Sequence, residues 1–140
     1  MKKLLIALSA LFILSSCDKE ESFDTNTFPQ KWELVSMTAN GSTRTGNDMS
    51  YRETYVLNKD STFVKTRIKI EIIETASGTF TIKKFDNNPY FVFKYASKNN
   101  FIADCNPMGL QEYLIIQSNS SITNNNGACD MHSLEYKRVE

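Results

Sequence analysis

The chain is poor in the side chains that most often do chemistry, with one histidine and three cysteines in 140 residues. A hydrolase triad would have only His132 as its base, and neither a glycine-flanked serine elbow nor a phosphate-cradling glycine loop occurs. These absences lead to the expectation of a protein that is not an enzyme and has no catalytic residue and no cofactor. Neither sign of charge is in excess, with sixteen basic and sixteen acidic side chains. Nucleic-acid binding, which leaves a basic footprint, is therefore not expected. Long apolar runs are missing too. The stretch from Leu4 to Leu14 is eleven residues, about 16 Å as a helix, where a hydrocarbon core of about 30 Å takes roughly 20. No repeat, coiled coil or long amphipathic helix is visible.

The amino end does contain a charged Met1-Lys2-Lys3, the apolar stretch, and the small pair Ser15-Ser16 ahead of Cys17, the layout of a secretory signal. Leu14-Ser15-Ser16-Cys17 resembles the bacterial lipobox. That resemblance implies cleavage before Cys17 and a diacylglycerol, with palmitate-type chains, on its sulfur. Two or more acyl chains anchor stably where one does so only marginally. The expected organisation is a signal over residues 1–16, a lipidated cysteine and tether over 17–30, and one domain over 31–140. Loss of Lys2 and Lys3 leaves fourteen basic against sixteen acidic side chains.

Asp18-Lys19-Glu20-Glu21 follows the cysteine. Acidic residues at this place resemble a surface-export signal in the Bacteroidota, whereas an aspartate directly after the cysteine marks inner-membrane retention in enterobacteria. The thirteen asparagines and many lysines and isoleucines suggest an AT-rich genome, which favours the outer membrane and its outer face. With Cys17 used for lipid, Cys105 and Cys129 remain, and an exported location allows them to oxidise. A disulfide between them is expected, contributing on the order of 3 kcal/mol by loop-closure arithmetic. The alternative, a metal site on Cys129-Asp130-Met131-His132, lacks the rest of a coordination shell.

From Lys31 onward the apolar period is two, interrupted by turn residues about every ten positions, which predicts an all-β domain. Trp32, Leu34 and Ser36 fall on one face of the first strand and Val35 and Met37 on the other. Residues 40–50 read as a loop. Tyr51 to Asn58 and Thr62 to Ile73 read as a hairpin across Asn58-Lys59-Asp60-Ser61. In its second arm Val64, Thr66, Ile68, Ile70 and Ile72 alternate with Lys65, Arg67, Lys69 and Glu71, so one face is wet. Gly78 to Phe85 and Tyr90 to Tyr95 form a second hairpin across Asp86-Asn87-Asn88-Pro89, and further strands are expected at Phe101 to Asp104, Gln111 to Gln117 and Ser133 to Val139. About eight antiparallel strands joined this way fit an up-and-down barrel, with a sandwich as the second choice.

The domain resembles the lipocalin-like domains found on lipoproteins of the Bacteroidota. The resemblance rests on Lys31-Trp32-Glu33-Leu34-Val35, the hairpin Tyr55-Val56-Leu57-Asn58-Lys59-Asp60-Ser61-Thr62-Phe63, Ser77-Gly78-Thr79-Phe80-Thr81-Ile82, and Tyr136-Lys137-Arg138. Gln30 stands where lipocalins place a glycine two residues before the tryptophan. The resemblance implies a barrel closed at one end by Trp32 with Arg138 across its ring, a cation–π contact of roughly 0.5 to 2 kcal/mol. Asp60-Ser61-Thr62 also resembles the short acceptor for O-linked glycans on exported Bacteroidota proteins.

A barrel of this size is either filled by side chains or just wide enough for one small ligand. Tyr55, Phe63, Phe80, Phe91, Phe93, Tyr95 and Tyr113 are the candidate cavity lining, and the carboxylates, scattered on wet strand faces, read as solubilising. The leading expectation is a membrane-anchored barrel that binds a small apolar or amphipathic ligand without catalysis. The alternative is a plugged barrel that serves as a structural or protein-interaction module, of the accessory or immunity type.

Overall fold

The computed structural model of the chain describes residues 23–100, 102, 109–124 and 132–139. In chain order the strands are β1 (Gln30–Ala39), β2 (Ser42–Thr45), β3 (Arg52–Leu57), β4 (Thr62–Lys69), β5 (Ile72–Phe85), β6 (Asn88–Tyr95), β7 (Gln111–Ser118), β8 (Ser121–Asn124) and β9 (Ser133–Arg138), with a 3-10 turn at Gly46–Asp48. Strands β3 to β9 pair in sequence, all antiparallel, and β1 closes the ring by pairing with both β3 and β9. The expected eight-stranded barrel is present. The ninth strand, β2, lies against the far end of β1 and outside the ring.

Local chemistry explains where the strands depart from simple alternation. Register between β1 and β9 shifts between Leu34 and Ser36, and this bulge turns Met37 inward beside Trp32 and Leu34, on the face opposite to the one its parity gives. The Asn58–Ser61 turn forms as expected, with Ser61 donating its N–H to the Asn58 carbonyl at 3.1 Å and Thr62 donating its N–H to Asp60 Oδ1 at 3.1 Å. The run from Thr62 to Ile73 is not one strand. It reverses at Ile70 and Glu71, with Ile70 at φ +57°, a left-handed conformation rarely taken by a β-branched residue. No turn-forming residue marks that reversal in the sequence. Strands β2 and β8 were hidden for a related reason, being four residues each and largely polar. Asn88 and Pro89 belong to β6, so the turn before it is only Asp86 and Asn87.

The turns at 58–61, 86–87 and 119–120 share one end of the barrel, and residues 23–29 fold over that end instead of belonging to the tether. Phe23 stacks at 6.5 Å from Trp32 and meets Phe91 edge-on at 5.3 Å, and Phe28 lies 5.8 Å from Phe80. Gln30 is buried and holds this cover: its Nε2 donates to the carbonyls of Asp24 and Thr27 at 3.3 and 3.0 Å, and its Oε1 accepts from Trp32 Nε1 at 3.2 Å. Gln30 is therefore a clamp on the cover. Trp32 and Arg138 are direct cross-strand partners at this end, and Arg138 donates to the Thr27 carbonyl at 3.5 Å. Cys17, Cys105 and Cys129, and with them the expected disulfide, lie outside the described residues, as do Phe101, Ala103 and Asp104 of an expected strand.

Gly78 sits where β5 is paired on both sides, opposite Phe63 of β4 and Tyr95 of β6. A Cβ there would lie 2.0 Å from the Lys94 carbonyl oxygen and 2.9 Å from Phe63 Cε1. Only backbone movement could relieve the first contact. Gly78→Ala is expected to cost at least about 1 to 3 kcal/mol, read as a lowering of the thermal midpoint by roughly 4 to 8 °C per kcal/mol. An unchanged midpoint would contradict this packing.

Candidate functional site in the barrel interior

Three strands send charge inward. On β3, Glu53 shares its face with Tyr55 and Leu57; on β4, Lys65 and Arg67 share theirs with Phe63; on β7, Glu112 shares its face with Leu114 and Ile116. Lys65, Glu53 and Glu112 have almost no solvent contact, at 0%, 1% and 0% exposed. This overturns, for Glu53 and Glu112, the reading of the carboxylates as solubilising groups on wet faces. In β4 the charged row is the inner one, while Val64 and Ile68 face out.

The charges form one connected unit. Lys65 Nζ lies 3.0 Å from Glu53 Oε1 and 3.1 Å from each oxygen of Glu112. Glu112 Oε2 also accepts from the hydroxyls of Tyr55, at 2.7 Å, and of Tyr95. Glu53 Oε2 accepts from Arg67 Nε at 2.6 Å, and Glu53 Oε1 from the Tyr136 hydroxyl at 2.5 Å. Two carboxylates are balanced by one ammonium and one guanidinium. The cations also lie over aromatic faces, Lys65 at 4.9 Å from the Tyr55 ring centre and Arg67 at 4.1 Å from that of Tyr51. Among the described residues no buried side-chain nitrogen or oxygen lacks a hydrogen-bond partner. A buried charge is expensive unless paired and hydrogen-bonded, and this arrangement meets both conditions from within.

Below this layer the rings fill the barrel. Tyr55 stacks on Phe93 at 4.9 Å, Phe63 meets Phe93 and Tyr95 edge-on at 4.8 and 5.0 Å, and Phe80 and Phe91 lie 5.8 Å apart. Six of the seven candidate lining residues, Tyr55, Phe63, Phe80, Phe91, Phe93 and Tyr95, are thus inside and packed on one another. Tyr113 is not among them. It faces outward at 39% exposed, beside Phe85, because its place on β7 alternates with that of Glu112 and Leu114. His132 is exposed at the opposite end from Trp32, near Met37 and Arg44, and its neighbours Cys129 to Met131 lie outside the described residues.

No family model, curated protein or solved structure matches this chain. Its chemistry is therefore read from its own geometry.

The outer surface carries the second unusual feature. Across β3, β4 and β5 the register aligns outward-facing rows: Arg52, Ile68 and Ile73; Thr54, Thr66 and Thr75; Val56, Val64 and Ser77. Arg52 is the only charge in these rows. Beyond them the β4–β5 turn extends Ile70 and Ile72, so that Ile68, Ile70, Ile72 and Ile73 are 40, 90, 64 and 67% exposed. Ile68 and Ile73 are paired on the outer face, while Ile72 alternates to the other face of the protruding hairpin.

Sequence reasoning missed the ionic unit although a signal was available. Glu53, Lys65 and Glu112 each share parity with residues that can only be core: Tyr55 and Leu57, Phe63, and Leu114 and Ile116. Weighing each residue by its partners two positions away would have turned these charges inward.

Two outcomes test the interior. Lys65→Met leaves two carboxylates facing one guanidinium and is expected to cost about 3 to 5 kcal/mol in urea unfolding, the usual penalty for breaking a buried pair. Adding Glu112→Gln should restore most of that, since Glu53 keeps Arg67 and Tyr136; costs that simply add would contradict a shared network. The second outcome is alkaline. Burial, and then the Glu112 charge for Tyr55 or the Glu53 charge for Tyr136, raise both phenols well above 10, and burial with Glu53 brings Tyr51 up to about 12. A raised native value leaves this stability whole below pH 10 and removes it as pH climbs toward the native value, because only the native state resists losing the proton. Ultraviolet absorbance of the Tyr55 and Tyr136 phenolates should appear only together with loss of near-ultraviolet circular dichroism. Ionisation inside an intact barrel would contradict the assignment.

Proposed function

We propose that this protein is a non-catalytic, lipid-anchored envelope protein whose filled barrel serves as a protein-interaction module. The observation that carries the reading is the self-neutralised unit of Lys65, Glu53, Glu112 and Arg67 on a bed of packed rings. A ligand carrier asks for room and unmet polar groups among these residues, and a catalyst asks for a group with an unmet valence. The interior layer offers neither. Its polar atoms are committed to one another, which suits a rigid support for the outer wall.

That wall supplies the docking surface, the rows of β3, β4 and β5 that carry Arg52 as their one charge, with the isoleucine-rich turn at their end. Its partner is a protein with a largely apolar surface of its own that carries one acidic group placed for Arg52. The anchor supports the same orientation. Only five residues lie between Cys17 and Phe23, a reach of at most about 22 Å, so the covered end stays near the bilayer. The β4–β5 turn is at the other end, about 26 Å away along an eight-residue strand, and points toward the surroundings.

Photo-crosslinking in the native envelope tests this with a crosslinking residue at Thr66, in the centre of the face, or at Thr123, on the outer side of β8. The expected result is a discrete protein adduct from position 66 that disappears with Ile73→Asp, and none from 123. A metabolic palmitate label lost in Cys17→Ser is expected alongside. Absence of an adduct, together with a small molecule retained against the Tyr55 and Phe93 rings in native mass spectrometry and nuclear magnetic resonance, would overturn the reading in favour of a carrier.

A further inference from the structure

A groove of about 500 Å³ runs along the outside of the covered end, between the segment holding Thr25, Asn26 and Phe28, the turn holding Lys59 and Ser61, and Phe80 to Ile82 of β5. Its walls are chemically divided. Phe28, Phe80 and Ile82 give an apolar floor, and Thr25, Asn26, Ser61 and Thr81 give hydroxyls and an amide along the rim. The volume is within the range of small-molecule sites.

Both walls are held in place before any ligand arrives. The first is pinned by Gln30 through the Asp24 and Thr27 carbonyls, and by Asp24 Oδ1, which accepts the Asn26 N–H at 2.8 Å. The second is a turn tied by Asn58 Nδ2 donating to Thr62 Oγ1 at 3.0 Å and by the Ser61 N–H donating to the Asn58 carbonyl. Asp60, the acid beside Lys59, is engaged by the Thr62 N–H and hydroxyl at 3.1 and 2.6 Å, and these bonds hold its carboxyl below the usual range. Its charge is turned to Thr62. Lys59 makes no ion pair among the described residues. A cation thus stands at the rim of an apolar trough whose shape is already set.

We infer that this groove binds a single-chain anionic amphiphile, with the alkyl or aryl body on Phe28, Phe80 and Ile82 and the carboxylate or phosphate head at Lys59. The site is outside the barrel and does not depend on the filled interior or on the docking face. The same chemistry is available from a free amphiphile and from a single-chain anionic lysolipid in the bilayer beside the anchored end, so both sources are tested.

The full chain in nanodiscs of neutral phosphatidylcholine is titrated with octanoate while the amide signals of Phe28, Ser61, Phe80 and Ile82 are followed. In a second arm nanodiscs containing lysophosphatidylglycerol, a single-chain anionic lipid, replace the free amphiphile. Saturable shifts at those residues are expected in at least one arm, and the arm that responds identifies the source. Lys59→Gln is expected to weaken the response about threefold, as loss of one exposed charge pair would, with an unchanged thermal midpoint. Octanol should bind more weakly than octanoate. Shifts in neither arm, equal binding of octanol, or insensitivity to Lys59→Gln would each overturn the inference. Shifts centred on Tyr55 and Phe93 would overturn it and the filled-barrel reading together, whereas a loss of protein crosslinking from Thr66 leaves it untouched.

Discussion

The structure depends on a lysine held between two glutamates in a place water does not reach. Lys65 has no solvent contact, and its ammonium is within 3.1 Å of both Glu53 and Glu112. Ions so placed would each cost several kcal/mol if left alone, so the fold must bring β3, β4 and β7 into register for any of them to be tolerated. Tyr55, Tyr95 and Tyr136 complete the unit by donating their hydroxyls to the carboxylates. A net gain over an apolar core is not required for this arrangement to matter. Its effect is to penalise alternative registers, because a shift of one residue moves a charge outward and strands its partners.

Much of the architecture was legible in the sequence. The period of two, the Asn58–Ser61 turn and the pairing of consecutive strands survive in the barrel, and the turn read at 86–89 is present but shortened to Asp86 and Asn87. What escaped had physical causes. Ile70 makes a tight reversal that its side chain does not advertise, a bulge at Leu34 to Ser36 inverts the parity of Met37, and β8 is only four residues long and follows the polar turn at 119–120. The candidate site was the least legible part. Alternation identifies two faces of a strand without saying which is wet, and in β4 the hydrocarbon row was given to the solvent and the charged row to the core.

The two ends of the barrel differ in the same terms. At one, Gln30 makes three hydrogen bonds that fasten residues 24–27 over Trp32. At the other, the β4–β5 hairpin reaches past its neighbours with four isoleucines in solvent and a strained backbone at its tip. Strain of order 1 to 3 kcal/mol persists where a fold has use for it. The ionic unit lies between these ends, where it stiffens the wall that carries the hairpin.

The central claim is that the interior is dry and committed to itself, and hydrogen exchange at the Lys65 ammonium tests it most directly. Side-chain nitrogen-resolved nuclear magnetic resonance of the full chain at neutral pH should reveal a Lys65 signal that exchanges slowly, near the rate set by global unfolding. A Lys65 ammonium that exchanges as fast as that of the solvent-exposed Lys59 would mean that water reaches Glu53 and Glu112, and would contradict the account.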